Sequence, residues 1–438
     1  MTEKYAAVIQ AGGKGTRVRE LTQDRIPKPL LEINGKPMLE WQIENLIRYG
    51  IKEIVIIIGH LGDRIETYFG DGSKWKVEIS YIREVEPLGS AGALFYLKGR
   101  CERNFLLIFG DVMFDINWER FVKFHEEKGG WATLLVHPNS HPYDSDLVVL
   151  DDDAKVISFD YKSNVRNYFY ENCVNAGIYI LSADILKGIM KAEKIDLEKD
   201  IIRPLMGEGK VYGYHTPEYV KDAGTPKRFH RVSKEQKEGI WSRKNLQNRQ
   251  ACIFLDRDGT VNRYRGLLYS EEQFELEDGA AEAVRRLNEA GYLVILVTNQ
   301  PVVARGLCEI EDVERIHKKM QTLLGEEGAY LDDIMFCPHH PDKGFPEENV
   351  QYKISCNCRK PAVGMINEAV EKYNIDLSRS VMIGDSTVDI QTGKNAGMHT
   401  ILLLTGQAGK DGKYDAVPDI TANNLADAVT IILADKVE

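Results

Sequence analysis

Two α/β domains in tandem, each a doubly wound sheet, are what this sequence predicts, on three observations. Short apolar β-rich runs alternate with helical patterns in both halves of the chain. Continuous apolar strands separated by helices indicate a mostly parallel sheet covered on both faces. A polar stretch rich in lysine and arginine interrupts the alternation over residues 231–250. The first strand on each side of it runs into a turn suited to ligand chemistry: Gly12-Gly13-Lys14-Gly15-Thr16 on one side, Asp256-Arg257-Asp258-Gly259-Thr260 on the other. A length of 438 residues suits about two or three domains. The expected division is a domain over 1–236, a solvated linker over 237–250 and a second domain over 251–438.

In the first half, strands are expected at Ala6–Gln10, Glu53–Ile58, Val77–Ile82, Phe105–Phe109 and Trp131–Val136. Helices are expected at Met38–Tyr49, Ser90–Lys98 and Trp118–Lys128. Leu147–Leu150 and Val156–Phe159 then read as a hairpin around Asp151–Ala154, an acidic solvated turn. From Ala251 the alternation restarts. Its strands are Cys252–Leu255, Leu293–Val297, Ile334–Phe336, Val381–Ile383 and Thr400–Leu404; its helices lie near Ala280–Ala290, Ile310–Leu324, Ala362–Tyr373 and Val388–Ala396.

Composition narrows the function class. Hydrophobic residues are 43% and charged residues 28%, a globular balance. Lys plus Arg is 56 against 67 Asp plus Glu, a formal charge of -11, which argues against a general nucleic-acid or acidic-membrane binder. No run approaches the roughly 20 apolar residues of a membrane span, and the first residues lack a signal-peptide pattern. Three of the seven cysteines cluster with a histidine, which reads as a metal site in a reduced, cytoplasmic setting.

The glycines after the first strand let backbone N–H groups approach a phosphate. Walker A is excluded, because Gly15 is followed by Thr16-Arg17, and no glycine completes a dinucleotide fingerprint. Lys28, held between Pro27 and Pro29, is a fixed cation close by in sequence. The run Gly-Gly-x-Gly-Thr-Arg followed by Pro-Lys-Pro resembles the signature of the sugar-1-phosphate nucleotidyltransferases over about residues 4–230. Pro87-Leu88-Gly89-Ser90-Ala91-Gly92-Ala93 is similar to that family's nucleobase-contacting loop, with Ser90 where Thr is usual. Asp111 and Asp222 resemble its two metal-binding aspartates, and Asn175-Ala176-Gly177 its sugar-contacting strand. The family's Glu-Lys-Pro is replaced by Asp160-Tyr161-Lys162-Ser163. The resemblance implies in-line attack of a sugar 1-phosphate on the α-phosphorus of an NTP. Arg17 and Lys28 would offset the repulsion between anions, Gly12, Gly13, Gly15, Thr16 and Gly89 would bind nucleotide, Asn175 and Gly177 sugar, and Asp111 and Asp222 Mg²⁺.

In the second half, Asp256 and Asp258 lie two apart on an extended segment and project to one side. Thr298-Asn299-Gln300, Arg359-Lys360-Pro361, Ile383-Gly384-Asp385 and Asp389 follow in order. That order resembles the haloacid-dehalogenase phosphatases. It implies Asp256 as nucleophile, Asp258 as general acid and base, Thr298 and Lys360 on the phosphoryl group, and Asp385 with Asp256 and the Asp258 carbonyl on Mg²⁺, Asp389 lying beyond. Cys337, His339, Cys356 and Cys358 suit structural tetrahedral zinc. A zinc loop running into Arg-Lys-Pro resembles the D-glycero-D-manno-heptose 1,7-bisphosphate phosphatases and related histidinol-phosphatases over about residues 251–430. Asn299, Arg305 and Arg359 would then also bind phosphate, with Pro301-Val302-Val303 departing from the usual Ser-Gly-Ile or Ser-Gly-Val.

Together the resemblances imply two consecutive steps: removal of the 7-phosphate of a heptose bisphosphate, then transfer of a nucleotidyl group, from GTP as the expected donor, to heptose 1-phosphate for surface polysaccharide. Other readings stay open: a mannose- or glucose-type nucleotidyltransferase, a histidinol-phosphatase-like second half, or a regulatory nucleotide-sugar-binding first half. The nucleotide, the anomer and any homo-oligomer are not specified by the sequence.

Overall fold

The computed structural model describes residues 2–342, 344 and 347–434, so the last four residues of the expected second domain lie outside the described residues. The chain forms two compact units. One comprises Met1–His137, Val148–Asp160 and Val174–Asn245; the other Pro138–Leu147, Tyr161–Cys173 and Leu246–Glu438.

The first unit is built on a nine-stranded sheet. Its centre runs Glu78–Arg83, Glu53–Ile58, Ala6–Gln10, Phe105–Phe109, all parallel. Every side chain of Ala6–Ile9 and Phe105–Ile108 is buried, as continuous apolar strands covered on both faces require. The direction of winding reverses between Ala6–Gln10 and Phe105–Phe109, and open α/β sheets take ligands at the carboxyl ends of such a pair. Beyond this centre the sheet is mixed rather than mostly parallel. Val174–Leu181 runs antiparallel to both Phe105–Phe109 and Ala132–His137, with a bulge between Asn175 and Tyr179. A two-stranded ribbon pairs Val112–Asp115 with Tyr219–Asp222.

The expected helix at Ser90–Lys98 is a 3₁₀ segment, Gly92–Leu97. A Cβ at Gly92 would lie against the carbonyl of Glu193, so this turn is wedged against the chain. The linker expectation is corrected in part. Helix Pro226–Lys237 is followed by Ile240–Arg243, and Ile240 and Trp241 are buried among Val18, Ile33, Met38 and Tyr219. Asn245 donates to Asp115 at 2.7 Å. The two apolar residues and Asn245 have buried partners, and these override the polar average of the stretch.

The second unit holds a six-stranded parallel sheet in the order Asp333–Cys337, Leu293–Asn299, Cys252–Leu255, Val381–Gly384, His399–Leu403, Ile420–Ala422. Winding reverses between Cys252–Leu255 and Val381–Gly384. The last strand and helix Leu425–Ala434 were not anticipated from the sequence. Residues 161–173 also belong to this unit, although they precede the expected boundary by more than sixty positions. They dock on helix Ile310–Glu326, where the Tyr170 N–H donates to Thr322 Oγ1 at 2.9 Å and the Asn172 N–H to Gln321 Oε1 at 3.0 Å.

Two candidate active sites

In the first unit the glycine turn leaves the end of Ala6–Gln10. Lys28 stands beside it, with its Cβ 3.2 Å from where a Cβ on Gly15 would lie. Lys28 is buried, and its Nζ donates to Asp111 Oδ2 at 2.7 Å. The clamped cation and the first aspartate, 83 positions apart, are thus in direct contact. The ribbon brings the second aspartate to the same place: Asp222 is in register with Val112, and the Ala223 N–H donates to the Asp111 carbonyl at 2.9 Å. Asp222 pairs with Arg228 at 2.7 Å, a partner the motif did not indicate. The Arg17 guanidinium reaches to 3.1 Å from the Cβ position of Gly224, beside Asp222. Gly12, Gly13 and Thr16 line the turn. Cations and carboxylates are therefore gathered at its Gly15 end.

The loop 87–93 closes against this turn. Gln10 donates to the Ser90 carbonyl, and Ser90 Oγ accepts the Leu197 N–H at 2.8 Å. Gly89 has φ +76° and an ideal Cβ 2.4 Å from the Ile195 carbonyl, so a side chain is excluded by both conformation and space. Asn175 and Gly177 lie at the bulge, where Asn175 Oδ1 accepts the Gly177 N–H at 3.2 Å. Glu198 accepts hydrogen bonds from Asn175 Nδ2 and from Tyr179 Oη, the latter at 3.1 Å. A carboxylate thus stands beside the Asn-Ala-Gly strand, supplied from residues 197–202. No motif in the sequence pointed to Glu198; the tertiary fold sets it there.

In the second unit Asp256, Asp385 and Asp389 bring carboxylate oxygens within 4.8 Å of one another, all buried. Lys360 Nζ reaches Asp256 Oδ1 at 2.6 Å and Asp389 Oδ1 at 2.5 Å. Burial raises the Asp256 carboxyl to about 7 against the lowering effect of Lys360, with Asp389 and Asp258 adding to the rise. Burial, then Asp256 and Asp389, raise Asp385 to about 8. Burial opposes the Lys360 charge, but the two carboxylates outweigh it and hold its pKa above the ordinary lysine value. Three crowded carboxylates facing one ammonium fit a hard divalent cation, which would relieve the repulsion.

Asp258 does not join this cluster through its side chain. It accepts from Arg257 Nη2 at 3.1 Å, Asn262 Nδ2 at 3.1 Å and Gln300 Nε2 at 2.9 Å. Arg257 is wholly buried and also donates to Gln300 Oε1 at 2.9 Å. Sequence reading missed Arg257 and Asn262 as partners of Asp258, because adjacency in a motif does not say which way a side chain turns. Asn299 ties the site to the later helix by exchanging hydrogen bonds with the Lys360 backbone at 3.0 and 2.9 Å. Thr298 is buried at the strand end beside Gln300.

Cys337, His339, Cys356 and Cys358 also converge within 4.8 Å. The sulfur atoms are 3.1–3.5 Å apart and His339 Nδ1 is 3.4 Å from Cys358 Sγ. No disulfide joins them, since a disulfide bond needs about 2.05 Å. Three thiols and an imidazole at one point form a donor set that fits zinc. Arg359 follows the last cysteine and donates to the His339 carbonyl at 3.0 Å, so the loop positions it. Arg305 and Arg359 are near enough to His340 for their charges to act on it: burial first, then Arg359, lower its pKa to about 4.

Comparison with known proteins finds a family likeness for each half of the chain. The nucleotidyl transferase family model matches residues 6–239, and the HAD-hydrolase-like model matches residues 357–428. The D-glycero-beta-D-manno-heptose-1,7-bisphosphate 7-phosphatase of Yersinia pestis is 38% identical over 183 residues, covering 42% of this chain and 95% of that protein. The D-glycero-D-manno-heptose-1,7-bisphosphate 7-phosphatase of Thermosynechococcus vestitus is 41% identical over 185 residues, covering 41% and 93%. The solved structure of HddC from Yersinia pseudotuberculosis is 25% identical, covering 53% of this chain and 99% of that one, with a TM-score of 0.47. Among the described residues, no helix is long and apolar enough to cross a membrane.

Proposed function

We propose that this chain, which belongs to the nucleotidyl transferase family through its N-terminal half and to the HAD-type heptose bisphosphate phosphatases through its C-terminal half, catalyses two consecutive steps on one sugar. It removes the 7-phosphate of D-glycero-D-manno-heptose 1,7-bisphosphate. It then transfers a nucleotidyl group, with GTP as donor, to the heptose 1-phosphate so formed, releasing pyrophosphate. The observation that carries this reading is the presence, in one chain, of a near full-length match to heptose bisphosphate phosphatases and a nucleotidyl transferase site whose Lys28, Asp111 and Asp222 are gathered together.

In the phosphatase step Asp256 attacks the phosphorus and the sugar–oxygen bond to phosphorus breaks, leaving an aspartyl-phosphate. Asp258 gives a proton to the leaving oxygen, then takes one from the water that hydrolyses the intermediate. To do so it turns away from Arg257, Asn262 and Gln300. Lys360 keeps Asp256 anionic and, with Thr298, meets the phosphoryl oxygens. Asp256, Asp385 and the Asp258 carbonyl would hold Mg²⁺, which supplies charge neutralisation at the transferring group.

In the transfer step the sugar phosphate oxygen attacks the α-phosphorus and the bond to the β-phosphate oxygen breaks. The attacking group is already an anion, so no general base is needed. Lys28 and Arg17 offset the repulsion between the two anions, and Asp111 and Asp222 would hold the metal. Cys337, His339, Cys356 and Cys358 would hold structural zinc, fixing the loop that ends in Arg359.

The test separates the sites. Asp256→Asn should abolish phosphate release while leaving nucleotidyl transfer to supplied heptose 1-phosphate intact. Loss of both activities in a folded protein would refute two independent sites.

A further inference from the structure

Two segments from the first half of the sequence, residues 138–147 and 161–173, belong to the second compact unit. They form one strap on helix Ile310–Glu326. Arg166 Nη1 donates to the Pro142 carbonyl and Nη2 to the Ser145 carbonyl, both at 2.8 Å, which ties the two segments together. Asn139 and Asn172 close the tie. The Asn139 N–H donates to Asn172 Oδ1 at 3.0 Å, and Asn172 Nδ2 donates to the Asn139 carbonyl at 2.7 Å. The helix seats this strap at three residues. Gln321 accepts the Asn172 N–H and the Thr322 hydroxyl accepts the Tyr170 N–H. Gly325, one turn on, leaves room for Pro142, whose Cγ lies 2.5 Å from where a Cβ on Gly325 would be. Tyr170, Asn172 and Thr322 are buried, so these bonds are not simply exchanged for bonds to water.

The strap runs straight into the strand Val174–Leu181, which carries Asn175 and Gly177. Pro138 follows His137 and Cys173 precedes Val174, and His137 and Val174 are paired in register, with Val136 opposite Asn175. Beyond Asn175 the register shifts at the bulge. Leu147–Leu150, which also pairs with Val174–Leu181, is entered from the other end of residues 138–147. A bulge disrupts the ladder locally, and a slip of one residue turns each side chain to the opposite face. The direction of Asn175 therefore depends on what fixes the chain ahead of the bulge. Asn172, three positions earlier, is fixed there by Gln321 of the helix and by Asn139 of the other segment.

Resting on the nucleotidyl-transfer reading above, we propose that Gln321, Thr322 and Gly325, on a helix of the phosphatase half, are positioning residues for nucleotidyl transfer: they seat the strap that holds Asn175 in place for the sugar 1-phosphate. None of the three belongs to the aspartate site of the second unit, so changing them should weaken sugar binding in the first reaction and leave the second reaction alone.

The test uses the full chain with Mg²⁺ and measures pyrophosphate release while heptose 1-phosphate and GTP are varied in turn. It compares the wild type with Thr322→Val, Thr322→Ser, Gln321→Leu and Gly325→Ala. Phosphate release from heptose 1,7-bisphosphate reports the fold of the second unit. Thr322→Val keeps the shape and removes the hydroxyl; Thr322→Ser keeps the hydroxyl. Alanine is ordinarily favoured over glycine in a helix, so a loss in Gly325→Ala reads the contact with Pro142. KM for heptose 1-phosphate should rise about three- to tenfold in Thr322→Val and in Gln321→Leu, the scale of one buried hydrogen bond, and at least as far in Gly325→Ala. KM for GTP and the phosphatase rate should be unchanged, and Thr322→Ser should match the wild type. An unchanged KM for heptose 1-phosphate in the three disruptive variants would overturn the assignment. So would an equal rise for both substrates or a fall in kcat alone, as general loosening gives, or a loss in Thr322→Ser as large as in Thr322→Val. If Gly325→Ala fails to fold, the two Thr322 variants decide. No pyrophosphate from the wild type with any NTP would instead refute the transfer reading, and this inference with it.

Discussion

Lys360→Met removes one charge and keeps much of the side chain's length and volume. Lys360 Nζ makes two charge-assisted hydrogen bonds, to Asp256 at 2.6 Å and to Asp389 at 2.5 Å. A bond between charged groups contributes about 1.5–3 kcal/mol, so the one to Asp256 contributes about that much to keeping its carboxylate anionic. At about 1.4 kcal/mol per tenfold, that is a loss of at least about 10–10² in phosphatase rate. The sign with pH follows. Asp256 is already raised to about 7 with Lys360 present, and Lys360 is the largest lowering influence on it. Without the ammonium its pKa rises further, so the variant's residual rate should climb at higher pH than the wild type's. The assay is phosphate release across about pH 6–9 at saturating Mg²⁺, with pyrophosphate release from supplied heptose 1-phosphate as the control for folding. A phosphatase rate within tenfold of wild type, with an unmoved pH profile, would refute the argument.

Asp111→Asn or Asp222→Asn should lower nucleotidyl transfer at least tenfold without loss of fold or of phosphatase activity; near-wild-type pyrophosphate release from either would show the carboxylates are not the metal's. Cys356→Ser should lower zinc content below one per chain and reduce phosphatase activity while transfer persists, measured by metal analysis beside both rates. Four protein ligands leave no position for a reactive water, so this loss should act through the loop bearing Arg359. Without Mg²⁺ the second unit should lose stability as pH rises. Asp385 is raised to about 8 and Asp256 to about 7, so their contribution is full below about pH 4 and is lost through pH 7–8. The increase in melting temperature on adding Mg²⁺ should therefore grow from pH 5 to pH 8, and a constant or shrinking increase would contradict the carboxylate cluster.

Much of the fold was legible because its central strands are largely buried and its helices one-sided. Ala6–Gln10, Glu53–Ile58, Phe105–Phe109 and Cys252–Leu255 stand where their apolar runs ended. The packing of 240–245 was not legible: a few buried residues such as Trp241 decide it inside a polar stretch. Nor was the placement of residues 161–173, which depends on hydrogen bonds to helix Ile310–Glu326 from a segment about 150 positions away. In the sites, motif order brought out Lys28, Asp111, Asp256, Lys360 and the four zinc-loop residues, because such chemistry fixes residue type and spacing. Glu198, Arg228 and Arg257 were hidden. Each acts through a side-chain direction, and one-dimensional spacing carries none.

The measurement that bears most directly on the two-step account is a single incubation of the purified chain with D-glycero-D-manno-heptose 1,7-bisphosphate, Mg²⁺ and each NTP in turn, followed by mass spectrometry of the products. The account predicts inorganic phosphate, pyrophosphate and one GDP-heptose with GTP, and no nucleotide sugar from Asp256→Asn unless heptose 1-phosphate is supplied. Phosphate release with no nucleotide-activated heptose from any NTP would contradict it.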